Sequence, residues 1–311
     1  MICEPQNELV IESDHLKFGF NNKKEILKDI TLKVGKGEIY GFIGPNGAGK
    51  TTTIRLLLGL LNDSENCIRL FGKKLSEDRT GVLSRIGSLI EQPSLYENIS
   101  GYDNLEIARS IRKLNKSRVK EILELVKLSN AAKKNVRDYS LGMKQRLGLA
   151  IALIGAPELL ILDEPVNGMD PNGIVEIREL LLNLNKMYGT TIFISSHLLS
   201  EMEKIVTHIG IINMGELLFQ GRISDLQKLQ TGQSELFLVT GNNKAALELL
   251  KQRWTVHEND KSLLIKFQSN GQIAQIIRDL VSHEIDVYQV FVEDMTLEKL
   301  FLQMTNNYVV G

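Results

Sequence analysis

Gly44-Pro45-Asn46-Gly47-Ala48-Gly49-Lys50-Thr51-Thr52 decides how this chain is read. The stretch follows an apolar run of β character at residues 38–43 and leads into a helical run at 53–60. Strand, glycine-rich turn and helix start, closed by lysine and threonine in a G-x-x-x-x-G-K-[ST] spacing, make a loop that cradles phosphate. Its glycines let the backbone wrap an anion at strained dihedrals and close range. Successive N–H groups and the helix N-terminus then face the phosphates. Lys50 is placed to reach the β- and γ-phosphates of a nucleotide, and the Thr51 hydroxyl to meet Mg²⁺.

The apolar run at 159–162 has the character of a central parallel strand and ends in Asp163-Glu164-Pro165. An apolar strand ending in Asp-Glu is a Walker B pattern. Asp163 is expected to hold Mg²⁺, directly or through water, and Glu164 to orient and deprotonate an attacking water. The next apolar run, 191–194, closes with Ser195-Ser196-His197, and His197 can hydrogen-bond the γ-phosphate from there. A shorter run at 86–90 ends in Glu91-Gln92-Pro93. Strand and helix alternate throughout, which argues an α/β layer with a largely parallel sheet. Ligands of such sheets sit beyond the carboxyl ends of the strands. The phosphate loop, Gln92, Asp163, Glu164 and His197 all follow strand ends, so they are expected to converge on one edge.

The remaining segments frame that core. Residues 9–33 read as β-strands around a loop that holds Phe18 and Phe20, and 67–72 as an edge strand and turn. Apolar residues from Leu105 to Val126 recur at helical intervals, a helical insertion between strands. Ser140 is a candidate N-cap for another helix; Asp170-Pro171 starts the next and Gly189 ends it. Residues 208–220 read as two strands with a turn near Met214-Gly215, followed by a helix at 224–229. Strands at 235–239, 262–267 and 286–293 and helices at 244–252, 271–283 and 296–304 then outline a small α+β domain without a chemical motif.

Composition narrows the setting. The 311 residues suit one large domain plus a smaller one, and 43% apolar with 24% charged residues is ordinary for a globular protein with a sizeable core. Lys and Arg total 37 against 38 for Asp and Glu, which gives no case for a nucleic-acid partner. Cys3 and Cys67 form no metal spacing, and two isolated thiols fit a reducing compartment. Glu4, Glu8 and Glu12 argue against a signal peptide. The most apolar stretch, 147–162, is broken by Pro157 and Glu158 and falls short of the ~18 residues of a membrane span. Any pore would come from another chain.

Over about residues 8–225, the phosphate loop, Gln92, the Tyr139-Ser140-Leu141-Gly142-Met143 helix start, Asp163-Glu164 and His197 resemble in order and spacing an ABC-transporter ATP-binding subunit. The resemblance implies an α/β P-loop NTPase fold with a RecA-like core and an antiparallel β subdomain, spanning 1–229 with its helical insertion at about 93–145. A linker at 230–234 and a C-terminal α+β domain at 235–311 would follow. It implies ATP and Mg²⁺ as ligands. Gly44, Pro45, Asn46, Gly47, Ala48, Gly49, Lys50, Thr51 and Thr52 would surround the phosphates, and Thr51, Gln92 and Asp163 the metal. Glu164, His197, Lys50 and Gln92 would carry catalysis, and Phe20 or Phe18 would stack on adenine. Gln92 would also relay nucleotide state to a membrane partner. Ser140 and Gly142 would contact the γ-phosphate held by the opposite subunit, implying a homodimer or a dimer with a related ATPase. A capped helix start is an anion site in its own right. Asn167-Gly168-Met169-Asp170 would lie across the dimer interface.

One departure stands out: Leu141 and Met143 occupy positions that are glycine and glutamine in the usual signature. Sandwiching of the nucleotide is expected to survive, since the hydroxyl and backbone donors are kept. Tyr139-Ser140-Leu141-Gly142-Met143-Lys144-Gln145-Arg146, Gly37-Glu38-Ile39-Tyr40-Gly41-Phe42 and the extra C-terminal domain resemble one branch, the ATPases of bacitracin- and lantibiotic-type exporters. Those pair with separate ABC-2-type permeases, which implies a cytoplasmic protein peripheral on the inner face of the cell membrane and export of an antimicrobial peptide or antibiotic. A soluble ABC ATPase of assembly or repair is the alternative. Chromosome-type members need a long coiled coil where this chain has only about 90 residues, and translation-type members carry two cassettes. Intact Lys50, Asp163, Glu164 and His197 oppose a cassette that binds without hydrolysing.

Overall fold

The computed structural model describes residues 8–20, 24–63, 65–230, 234–259, 262–293 and 296–306. Cys3, Glu4 and residues 231–233 of the expected linker lie outside them. The chain opens with β1 (Leu9–Ser13), β2 (Leu16–Phe20), β3 (Lys24–Ile30), β4 (Lys33–Gly35), β5 (Ile39–Ile43) and α1 (Lys50–Leu57). Next come β6 (Ile68–Leu70), α2 (Leu75–Ser84), β7 (Ile86–Leu89), α3 (Gly101–Ile111), α4 (Ser117–Leu125) and α5 (Leu141–Leu153). β8 (Leu159–Asp163), α6 (Pro171–Tyr188), β9 (Thr191–Ser196), α7 (Leu199–Met202), β10 (His208–Asn213) and β11 (Glu216–Arg222) complete a first compact unit, which ends at Arg222. The second unit holds α8 (Ile223–Gln230), β12 (Glu235–Thr240), α9 (Asn243–Leu250), β13 (Val256–Asn259), β14 (Ser262–Lys266), α10 (Asn270–Ser282), β15 (Val287–Glu293) and α11 (Leu297–Asn306). The units divide ahead of the boundary expected after residue 229, because α8 packs against α11.

Among the described residues the first unit carries two sheets. The larger runs β2-β3-β11-β10-β5-β9-β8-β7, with β10, β5, β9, β8 and β7 all parallel. Parallel strands need crossovers, and α6 and the helical insertion supply them on the way. Both faces of the central strands are covered, so β5, β8 and β9 are buried at every position. Leu159, Leu160, Ile161 and Leu162 are fully enclosed, each contributing roughly 1.5–3 kcal/mol of burial. The smaller sheet, β4-β1-β6, is antiparallel and has β6 at its edge, as the short 67–72 run suggests.

Phe18 and Phe20 are not in a loop. They belong to β2, which pairs antiparallel with β3 and sets Phe18 opposite Leu27 and Phe20 opposite Lys24. The strand satisfies backbone groups that a loop would leave open. The apolar periodicity across 100–128 resolves into two helices, α3 and α4, separated where Lys113 takes φ +54°. Ser100 caps the first by accepting the Asp103 N–H at 3.1 Å. The second unit is an antiparallel sheet, β13-β14-β12-β15, whose Leu236, Leu238, Leu263 and Ile265 pack on Ile276 and Leu280 of α10.

At the amino ends of β7 and β8, Arg85 donates to both carboxylate oxygens of Glu158, at 2.6 and 2.7 Å, and its guanidinium covers the Phe71 ring at 3.7 Å. The bond to Arg85 holds the Glu158 carboxyl below the ordinary carboxylate range. A carboxyl with a lowered folded pKa adds stability above its unfolded value, and loses it as pH falls through the folded one. Both side chains are more than a third exposed, which keeps the contribution under ~1 kcal/mol. Glu158→Gln should therefore cost up to that much in urea melts near neutrality. The difference should vanish well below pH ~4; a loss that persists in acid would contradict the assignment.

Candidate nucleotide site

β5 ends at Ile43, and the chain turns back over its own strand end to start α1. Two glycines make that turn possible. A Cβ on Gly44 would lie 2.3 Å from the backbone oxygen of Ile212, and Gly49 sits at φ +114° with Leu27 Cδ2 only 2.5 Å from where its Cβ would be. No side chain caps α1 at Gly49, and the first N–H groups of a helix have no partner within it. Those amides are the free donors of the loop. Asn46 and Gly47 are exposed, and space above Gly47 is open.

Lys50 is 5% exposed, and its Nζ donates to the carbonyls of Gly44 at 2.7 Å and Pro45 at 3.3 Å. The same ammonium stands 3.3 Å from Glu164 Oε1. A buried cation needs an anion; in this arrangement Glu164 provides it, where a phosphate oxygen would serve equally. Glu164 Oε2 is 2.8 Å from His197 Nδ1. A carboxylate only accepts, so Nδ1 carries the proton of that bond. Glu164 follows β8 at φ +48°, in the left-handed region, which turns it out of the strand toward Lys50 and His197.

Asp163, the last residue of β8, is 1% exposed. It accepts the Thr51 hydroxyl on Oδ2 at 2.8 Å and the Ser195 hydroxyl on Oδ1 at 2.5 Å. Ser195 in turn accepts the Glu164 N–H at 3.1 Å. Among the described residues no three His, Cys, Asp or Glu side chains form a metal cage. A hydroxyl beside one carboxylate fits Mg²⁺, which binds through one or two protein oxygens and completes its shell with water and substrate phosphates.

The loop residues, Lys50, Thr51, Asp163, Glu164 and His197 thus meet at the carboxyl ends of β5, β8 and β9. Gln92 follows the carboxyl end of β7, the parallel neighbour of β8, where it is exposed and makes no hydrogen bond to this group. Ser195 joins the group as well, a residue that no motif in the sequence singles out. Phe18 packs on the core and meets Phe20 edge-on at 5.1 Å, while Phe20 is 51% exposed and free to take a ring.

Ser140 caps α5, its oxygen accepting the Met143 N–H at 3.3 Å, and bonds no atom of its own phosphate loop. Tyr139 is buried beneath it and donates to the Ala131 carbonyl at 2.7 Å; burial raises its pKa, which keeps the hydroxyl a donor. Leu141 is 45% exposed, with its Cδ2 3.0 Å from where a Gly168 Cβ would be. Met169 Cε likewise lies 3.4 Å from the Cβ position of Gly142. The signature start and the 167–170 loop of one chain are therefore in apolar contact. A partly open cavity of about 310 Å³ lies elsewhere, at the amino ends of the strands among Phe71, Arg85, Glu158 and Thr191, and shares no residue with the phosphate loop or the strand-end group.

Known proteins resemble this chain in sequence and fold. Residues 27–167 match the family model described as ABC transporter. The chain is 40% identical over 306 residues to the bacitracin transport ATP-binding protein BcrA of Bacillus licheniformis, covering 97% of this chain and 99% of that one. It is 42% identical over 226 residues to the lantibiotic transport ATP-binding protein SrtF of Streptococcus pyogenes, covering 73% and 93%. A solved ATP-binding subunit of an ABC transporter superposes with a TM-score of 0.64 at 28% identity, over 71% of this chain and 92% of its own. The chain therefore belongs to the ABC transporter family, as an ATP-hydrolysing ATP-binding subunit of that family.

Proposed function

We propose that this subunit dimerises around two ATP molecules and drives export through a separate membrane permease, with an antimicrobial peptide or antibiotic as the exported compound. The observation that carries the reading is Glu164, held between Lys50 and His197 beside the Thr51–Asp163 pair. When the γ-phosphate arrives, Lys50 and His197 exchange Glu164 for phosphate oxygens. Glu164 then accepts the proton of a water whose oxygen attacks the γ-phosphorus, as the bond to the β–γ bridging oxygen breaks to leave ADP and phosphate. Thr51 and Asp163 would hold Mg²⁺, which would supply positive charge against the phosphates. Phe20 takes the adenine face.

The second half of the pocket comes from another copy. Asn46 is exposed, space above Gly47 is open, and Ser140 caps its helix without bonding its own loop; the partner's hydroxyl and helix amides would close the γ-phosphate from above. Gln92, exposed at the start of the helical insertion, is suited to report closure to the permease. No helix of the described residues is long and apolar enough to cross a membrane; in this reading the pore belongs to a partner chain, with this subunit docked at the inner face. Relatives named for bacitracin and lantibiotic transport support the cargo class. The test is affinity purification from detergent-solubilised membranes of the cell of origin. A co-purifying multi-span protein is expected. Its absence, with ATP hydrolysis intact, would remove the transport reading and favour a soluble ATPase.

A further inference from the structure

We infer that Ser195 is a positioning residue for hydrolysis: one buried hydroxyl sets both Walker B carboxylates and ties them to the strand that carries His197. It rests on the ATPase reading above and adds a residue to it. Ser195 is wholly inaccessible, one residue from the end of β9 and directly opposite Asp163 in the parallel β8–β9 register. Its oxygen receives the Glu164 N–H, which can only donate, so its single proton is committed to Asp163 Oδ1.

Two consequences follow from that geometry. With Oδ1 occupied by Ser195, Asp163 is held with Oδ2 toward the Thr51 hydroxyl, and these are the two groups that would hold the cation. The second bond acts on the backbone of Glu164, which stands at φ +48°, a conformation uncommon outside glycine. Anchoring its N–H fixes the turn that carries the carboxylate to within 2.8 Å of His197 and 3.3 Å of Lys50. His197 leaves β9 two residues after Ser195, so the base and its histidine partner are indexed to each other through one side chain. Ser196 does something else: its hydroxyl receives the Leu198 N–H at 3.0 Å.

Removing the hydroxyl leaves a buried carboxylate oxygen and a part-buried N–H without this partner, an effect on the order of ten- to a hundredfold in the function they set. The experiment measures phosphate release by the purified full chain across an MgCl₂ titration at saturating ATP, together with thermal melts. Ser195→Ala should lower kcat by about tenfold or more, leave KM for ATP within about threefold, and raise the Mg²⁺ concentration for half-activation. Ser195→Thr, which keeps the hydroxyl, should stay close to wild type in that midpoint. Ser195→Cys, of similar size and a weak donor, is read in place of alanine if the alanine variant does not fold. Wild-type kcat and midpoint in the alanine or cysteine variant would overturn the inference. So would equal losses in alanine and threonine with an unmoved midpoint, since that pattern marks packing alone. An inactive wild type would instead remove the ATPase reading itself.

Discussion

Replacing Glu164 with glutamine is expected to lower kcat by about 10²- to 10⁴-fold, the range lost with a general base, while ATP remains bound. Glutamine keeps the shape of the side chain between Lys50 and His197 but removes both its basicity and its charge. The Lys50 ammonium, 5% exposed, would lose the anion it now faces at 3.3 Å. A buried cation without a partner gains more from an arriving phosphate, so ATP affinity should hold or rise. Single-turnover phosphate release and nucleotide-binding titrations separate the two effects. In the dimer reading the same variant, unable to complete the cycle, should accumulate as an ATP-dependent dimer by light scattering. Turnover within tenfold of wild type would remove Glu164 from its role as base.

The opposite signature is expected of Lys50→Ala. Here binding itself should fail, by about ten- to a hundredfold or more in ATP affinity, because hydrogen bonds to charged groups contribute ~1.5–3 kcal/mol each. Lys50 is the one side chain of the phosphate loop whose Nζ bonds two loop carbonyls and also reaches the Glu164 carboxylate. Its loss both loosens the turn over Gly44 and Pro45 and leaves Glu164 repelling an incoming phosphate. Isothermal titration with a non-hydrolysable ATP analogue measures this directly. Affinity within threefold of wild type would mean that the backbone amides alone hold the nucleotide. Together the variants divide the site into a part that binds and a part that reacts.

Much of this site was legible because its chemistry is local in sequence. The phosphate loop is contiguous, Asp163-Glu164 ends an apolar run, and the caps at Ser140, Asp170 and Gly189 appear as residue types at helix ends. What depended on pairing across the sheet was not. Ser195 matters through a bond to a residue on the neighbouring strand, and nothing next to it in the chain marks that. α2 buries little besides Val82, and β13 buries only Val256, so neither shows the periodicity from which a helix or strand is read. β2 was obscured by Gly19, which reads as a turn residue until β3 supplies its partner. The break at Arg222 was hidden because α8 follows β11 directly in the chain, whereas its packing partner α11 lies about 70 residues further on.

The strand order bears on how this molecule comes into being. β5 has as neighbours β9 and β10, with Ile39 beside Ile192 and His208 beside Tyr40. As the chain leaves the ribosome, the phosphate loop emerges early, yet every strand that flanks it in the sheet is synthesised much later. Such distant parallel pairings are slow to close and leave apolar strands uncovered meanwhile. The first unit is thus expected to gain nucleotide-dependent protease resistance only once β10 and β11 are in place. Chains truncated between β8 and β9 would carry a complete phosphate-loop sequence and still remain cleavable with ATP present.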